Sequence, residues 1–176
     1  MHPPLIAVST SVTVDKYPER AYVNAAYLNA IQQAGGVPLP LPPQLEPSAR
    51  AELLKHVHGV LLTGGGDVDP ARFGEPPHPA TAEVSPARDS LEIDLTRWAL
   101  EIDVNSFHHQ AIKRIGRGLE DVAWAPDSIV EGVELSDPGQ FVVGVQWHPE
   151  ELVDQDRAAL NLFAALVNHA QKRARL

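Results

Sequence analysis

Three short apolar runs, at residues 5–10, 37–41 and 59–63, alternate with two helical patterns, and that rhythm constrains the fold more than any other feature. Strand, helix, strand, helix, strand in this order implies right-handed crossovers and a mainly parallel sheet with helices on both faces. The first helix has Pro18 in its opening turn, apolar residues at Tyr22, Val23, Ala26, Tyr27, Ala30 and Ile31, and Gly35-Gly36 as its stop. Pro38 and Pro40 donate no ladder hydrogen bonds, so the run at 37–41 is predicted as a short or edge strand. A second helix is expected over 47–57. The sequence Gly-Val-Leu-Leu-Thr at 59–63 is continuous enough for a strand covered on both faces.

Ligands of such sheets bind beyond the carboxyl ends of the strands, where Gly64, Gly65 and Gly66 lie. A proline-rich irregular stretch then runs to Ser85. It is followed by an amphipathic helix opened by Ser85-Pro86, with Leu91, Leu95, Trp98 and Ile102 on its inner face. There the rhythm breaks. Another buried strand is due, yet the polar, histidine-rich Asp-Val-Asn-Ser-Phe-His-His-Gln of 103–110 follows at once. The remainder is β-rich, with strands expected over 120–125, 129–135 and 141–147 and a turn at 136–139. A closing helix over 156–172 carries Leu160, Phe163, Val167 and Ala170 on one face.

The 176 residues suit one domain over 1–176. Fourteen Lys and Arg against 23 Asp and Glu give a net charge of −9, which disfavours nucleic acid and anionic membranes as partners. No run approaches the roughly 18 apolar residues of a membrane helix, and Met1-His2-Pro3-Pro4 lacks the positive region of a signal peptide. A cytoplasmic location is expected. The chain contains no cysteine, which excludes disulfides, thiolate metal sites and a cysteine nucleophile within these residues.

The sharpest chemical constellation is Gln146-Trp147-His148-Pro149-Glu150 at the end of an apolar strand. Residues two apart on an extended backbone share a face, so His148 and Glu150 can be neighbours, with Pro149 limiting their freedom. A carboxylate beside an imidazole holds its tautomer and stabilises the imidazolium, the base half of a nucleophile–base–orienter triad. A histidine and a glutamate that merely close a strand remain the plain alternative. The three glycines after residue 63 free the backbone to turn and to aim N–H groups at an oxyanion. Neither a Gly-Lys-Ser/Thr phosphate loop nor a dinucleotide fingerprint follows them. Asp67 and Asp69 fit no calcium loop and read as turn formers. His108 and His109 point to opposite sides of a strand, and His56 and His58 read as caps at a helix end, so no convincing metal site or cofactor motif is present.

Three motifs in order, Leu-Leu-Thr-Gly-Gly-Gly-Asp-Val-Asp-Pro at 61–70, Val-Asn-Ser-Phe-His-His-Gln-Ala-Ile at 104–112 and Gly-Val-Gln-Trp-His-Pro-Glu at 144–150, resemble the class I glutamine amidotransferase superfamily. More narrowly, they resemble its gamma-glutamyl-gamma-aminobutyrate hydrolase branch, the peptidase C26 family. Gly35-Gly36-Val-Pro, Arg88-Asp89 and Ala125-Pro126-Asp127 extend the likeness over nearly the whole chain. The resemblance implies an α/β, flavodoxin-like class I glutamine amidotransferase domain, a mainly parallel sheet with an antiparallel, β-rich C-terminal half. It also implies hydrolysis of a gamma-glutamyl amide by a Cys-His-Glu triad. By matching position His148 is the general base and acid, Glu150 orients it, and Gly65 or Gly66 supplies an oxyanion donor. Asn105, Ser106 and His108 fall where the family holds the glutamyl end of the substrate.

The nucleophile has no counterpart. In the family a buried strand, a Gly-x-Cys-x-Gly elbow and a further helix stand before the Val-Asn-Ser-Phe segment, whereas here Glu101 runs directly into Ile102. The expectation is a sequence that omits on the order of 30 residues or more that the natural protein has, with a spatial break between Glu101 and Ile102. Three functions compete. They are a hydrolase of a small gamma-glutamyl substrate, with a homodimer as its candidate assembly; a catalytically inactive binding module; and the amidase component of a two-protein amidotransferase.

Overall fold

The computed structural model describes residues 2–14, 16–99, 104–106, 112, 115–137 and 140–175, leaving aside the side chains of 97–99 and 104–106. The junction of Glu101 and Ile102, together with His108, lies outside the described residues.

The chain opens with strand β1 (Leu5–Ser9), followed by a two-residue ribbon of β2 (Ser11–Val12) and β3 (Ala21–Tyr22). Helix α1 (Ala25–Gln33) starts later than Pro18 suggests, because Asn24 caps it by accepting from the Ala26 N–H at 3.0 Å. Tyr22 is consequently an exposed strand residue. Strand β4 (Val37–Leu41), helix α2 (Pro47–Leu54) and strand β5 (Gly59–Leu61) follow. Helix α3 (Pro86–Ala99) buries Leu91 and Leu95 completely, as their spacing predicts. Strands β6 (Val104–Ser106), β7 (Leu119–Trp124), β8 (Val130–Leu135) and β9 (Val142–Val145) precede helix α4 (Arg157–Arg173), which Asp156 caps.

Seven strands form one sheet in the order β4-β1-β5-β6-β9-β8-β7. The pairs from β4 through β9 are parallel, and those of β9 with β8 and β8 with β7 are antiparallel. Strand β4 takes the edge that its prolines require. Alternate side chains divide the core between two faces. Ile6, Val8 and Leu61 pack with Tyr27 and Ile31 of α1 and Phe163 and Leu166 of α4. Ala7, Val60 and Leu62 pack on the opposite face with Leu54 of α2 and Leu91 and Leu95 of α3.

One difference from expectation concerns the centre of the sheet. A central strand should be missing, yet Val104–Ser106 pairs with β5 on one side and β9 on the other. Without it both neighbours would leave ladder N–H and C=O groups unpaired. His58 is a second difference. Its Nδ1 accepts from the Leu5 N–H at 3.0 Å, so it fastens α2's exit to β1 rather than capping the helix. Among the described residues no helix is long and apolar enough to cross a membrane.

Candidate active site

Strand β5 leads through the buried Leu62 and Thr63 into Gly64, Gly65 and Gly66 at the carboxyl edge of the sheet. None of the three glycines has a positive φ. Their small size serves close approach instead. A Cβ on Gly65 would run into the Arg88 guanidinium, and one on Gly66 into the backbone of Glu83. On Gly64 it would meet the Tyr27 hydroxyl at 3.1 Å and Cε1 of His148 at 3.4 Å.

Arg88 holds this loop from beneath. Its Nη2 donates to the Thr63 carbonyl at 2.6 Å and its Nη1 to the Gly66 carbonyl at 3.4 Å, while Nε donates to Glu92 at 3.0 Å. The Ser9 hydroxyl also donates to Glu92, at 2.9 Å. Burial pushes the Glu92 carboxyl above its ordinary range, against the opposing pull of Arg88. The neighbouring Asp89 accepts from the Asp69 N–H and from Nε of Arg72, each at 3.1 Å. Asp69 itself caps the 3-10 turn Pro70–Phe73, and Asp67 accepts from the Ala82 N–H at 2.9 Å. Both aspartates therefore shape the loop, as a turn reading predicts.

These bonds decide which loop donors stay open. The Gly64 N–H is committed to the Tyr27 hydroxyl at 3.0 Å, and the Asp67 N–H to the Ala82 carbonyl at 3.0 Å. The N–H groups of Gly65 and Gly66 have no protein acceptor among the described residues.

Strand β9 ends at Val145, short of the expected 147. Pro149 then starts a 3-10 turn (Pro149–Glu151), so His148 and Glu150 meet across a tight turn rather than along an extended strand. Nδ1 of His148 lies 2.8 Å from Oε1 of Glu150. The glutamate side chain is 2% exposed and the histidine side chain 50%. A buried carboxylate thus holds a half-exposed imidazole. An Nδ1–H donated to Glu150 leaves Nε2 as the ring nitrogen able to accept a proton.

Tyr27 was not legible as a site residue, since its helical spacing marks it only as core. It is buried, accepts from Gly64 and faces Glu150. Burial first, then the Glu150 charge, raises its phenol far above the ordinary value, with the Gly64 hydrogen bond opposing, so the hydroxyl stays protonated. It joins the glycine loop to the His148–Glu150 pair. Asn24 reinforces the junction by donating from Nδ2 to Glu151 at 2.7 Å. Asn105 and Ser106 lie on β6 in the centre of the sheet, their side chains outside the described set, and His108 is not described. Among the described residues no three His, Asp or Glu side chains gather as metal ligands.

The sequence profile of the Peptidase C26 family matches residues 4–103 and 98–150. The chain belongs to this family. A Mycobacterium tuberculosis protein named as a candidate glutamine amidotransferase is 32% identical over 214 positions, covering 85% of this chain and 68% of its own. The gamma-glutamyl-gamma-aminobutyrate hydrolase of Escherichia coli K12 is 27% identical over 218 positions, covering 82% of this chain and 85% of its own. A solved Thermoplasma acidophilum protein, described as a candidate component of GMP synthase, shares the fold with a TM-score of 0.64 at 9% identity. The match covers 99% of this chain and 98% of that one.

The alignment lengths carry a further fact. Since 85% of 176 residues is about 150, roughly 64 of the 214 positions shared with the M. tuberculosis relative face no residue of this chain. For the E. coli hydrolase, 82% is about 144 residues, leaving roughly 74 of 218 positions unmatched. The two matched segments of the family profile meet at residues 98–103.

Proposed function

We propose that this protein belongs to a hydrolase of gamma-glutamyl amides whose thiol nucleophile sits on the segment that relatives carry and these 176 residues lack. The observation that carries the reading is the His148–Glu150 pair, closed at 2.8 Å beside a loop with two N–H groups that have no acceptor among the described residues. Nε2 of His148 would take the proton of the thiol as its sulfur attacks the γ-carbonyl carbon. The oxyanion formed there would accept from Gly65 and Gly66. His148 would then give the proton to the departing amine, and water would release glutamate from the thioester by the same base. Asn105, Ser106 and His108 are assigned, on the resemblance alone, to the glutamyl end.

The test joins intact mass with glutamate release from a panel of gamma-glutamyl amides. A natural protein clearly heavier than 19.1 kDa that releases glutamate supports the hydrolase. A second reading, a binding module without chemistry, is favoured by the unbroken pairing of β6 with both neighbours and by the absence of cysteine. A mass of 19.1 kDa, with gamma-glutamyl ligands bound but never cleaved, would establish it in place of the first.

A further inference from the structure

A cavity of about 540 Å³ lies between α3 and the C-terminal strands, and it includes none of Tyr27, Gly64, His148 or Glu150. Its walls are mainly aliphatic. Ile93 and Thr96 contribute from α3, Ile112 and Ile115 from the stretch before β7, and Val143 and Val145 from β9. Strand β9 has a neighbour on each side, yet only Val145 of its four residues is buried. All three residues of β5 are buried. An interior strand, paired on both sides, that stays half-exposed lacks a covering layer on one face.

The cavity is framed by both sides of one sequence junction. Ile93 and Thr96 precede the stretch 98–103, where the two matched segments of the family profile meet, and Ile112 and Ile115 follow it. Roughly 64 positions of one relative and 74 of another face no residue of this chain. The buried Oε1 of Gln146, another wall residue, has no hydrogen-bond partner among the described residues, which fits a surface built to be covered by polypeptide.

We propose that this cavity is the seat of that segment: an apolar face of the relatives' additional residues packs against Ile93, Ile112, Ile115 and Val143, and in the 176-residue chain the seat is open. The proposal rests on the reading that the chain lacks a segment its relatives hold. Its test does not depend on turnover.

Nile red, an uncharged apolar dye, is the probe, because Glu92 and Glu131 also line the cavity. The 176-residue protein should bind one dye per chain, and Ile93→Asp should weaken binding at least tenfold. A chimera with the unmatched residues of the M. tuberculosis relative placed between Glu101 and Ile102 should lose the dye site and unfold at a higher temperature. If circular dichroism shows that the chimera is unfolded, the same residues added as a separate peptide should displace the dye. Undiminished dye binding in a folded chimera, or in the presence of saturating peptide, overturns the proposal. A chimera that closes the cavity but releases no glutamate sinks the proposed hydrolase and leaves the seat standing. One that releases glutamate with the dye still bound does the reverse.

Discussion

The sheet has two halves that differ in cover. In β1 four of five residues are buried and in β5 all three, with α1 and α4 on one face and α2 and α3 on the other. In β9 one residue of four is buried, and in β8 two of six. Edge position explains part of this for β7, whose alternating half-buried and exposed residues leave Val122 and Trp124 open to solvent. It does not explain β9. The first half is a completed helix–sheet–helix sandwich of three layers, whereas the second is a sheet whose α3 side opens onto a cavity. The candidate site lies on the seam, with the glycine loop from the covered half and His148 and Glu150 from the end of β9.

The severest way to break this division is through chemistry. In the nucleophile-bearing form, His148→Ala should lower kcat by about a thousandfold or more, because the thiol loses its base. Glutamate release measures it. A near-normal rate would remove His148 from the mechanism and leave the seam a structural joint only.

Stability separates the halves next. Leu95→Ala in the covered half should cost about 2–5 kcal/mol, the range for a fully buried leucine. Leu135→Ala in β8, half-buried at the cavity wall, should cost about 1 kcal/mol, since little area is withdrawn from water there. Urea unfolding reads both. Equal losses would mean that the second half is as tightly covered as the first.

The elements of the covered half were legible from local signals. Pro38 and Pro40 announced an edge strand, the run at 59–63 a buried one, and Leu91 and Leu95 the inner face of α3, because each signal is local and the structure honours it. Strands β7 to β9 and helix α4 were likewise near their predicted places. What stayed hidden depends on contacts between distant elements. Arg88 and Gly65 are adjacent only after α3 folds back under the loop, so the glycines read as backbone freed to aim N–H groups at an oxyanion, and the close approach that their small size permits stayed hidden. Tyr27 looked like core because helical periodicity cannot show that its hydroxyl reaches the Gly64 N–H. That the stretch around Val104–Ser106 is extended was readable, but its place between β5 and β9 was not, since pairing depends on strands distant in sequence.

Across the seam, Tyr27→Phe should destabilise the protein by about 1 kcal/mol, the cost of a partly buried donor left without its acceptor. Hydrogen exchange at the Gly64 amide should quicken in the same variant. Unchanged exchange would show that the loop is held by Arg88 alone and that the tyrosine is ordinary core.

The smallest effect concerns Glu92, whose carboxyl lies between the loop and the cavity. Burial raises its folded pKa above the unfolded value, so between those two values the folded state binds more protons than the unfolded one. Stability from this group is therefore fully present below the unfolded pKa of about 4.3 and is lost as pH rises through the folded one. Glu92→Gln removes the titration, so the stability of the variant should decline less over that interval than that of the parent. The Arg88 pair acts in the opposite direction, by favouring the ionised form. Chemical unfolding at a series of pH values decides between them. If the parent instead gains stability with rising pH and Glu92→Gln abolishes the gain, the guanidinium outweighs burial, and the floor of the loop is an ion pair before it is a buried wall of the core.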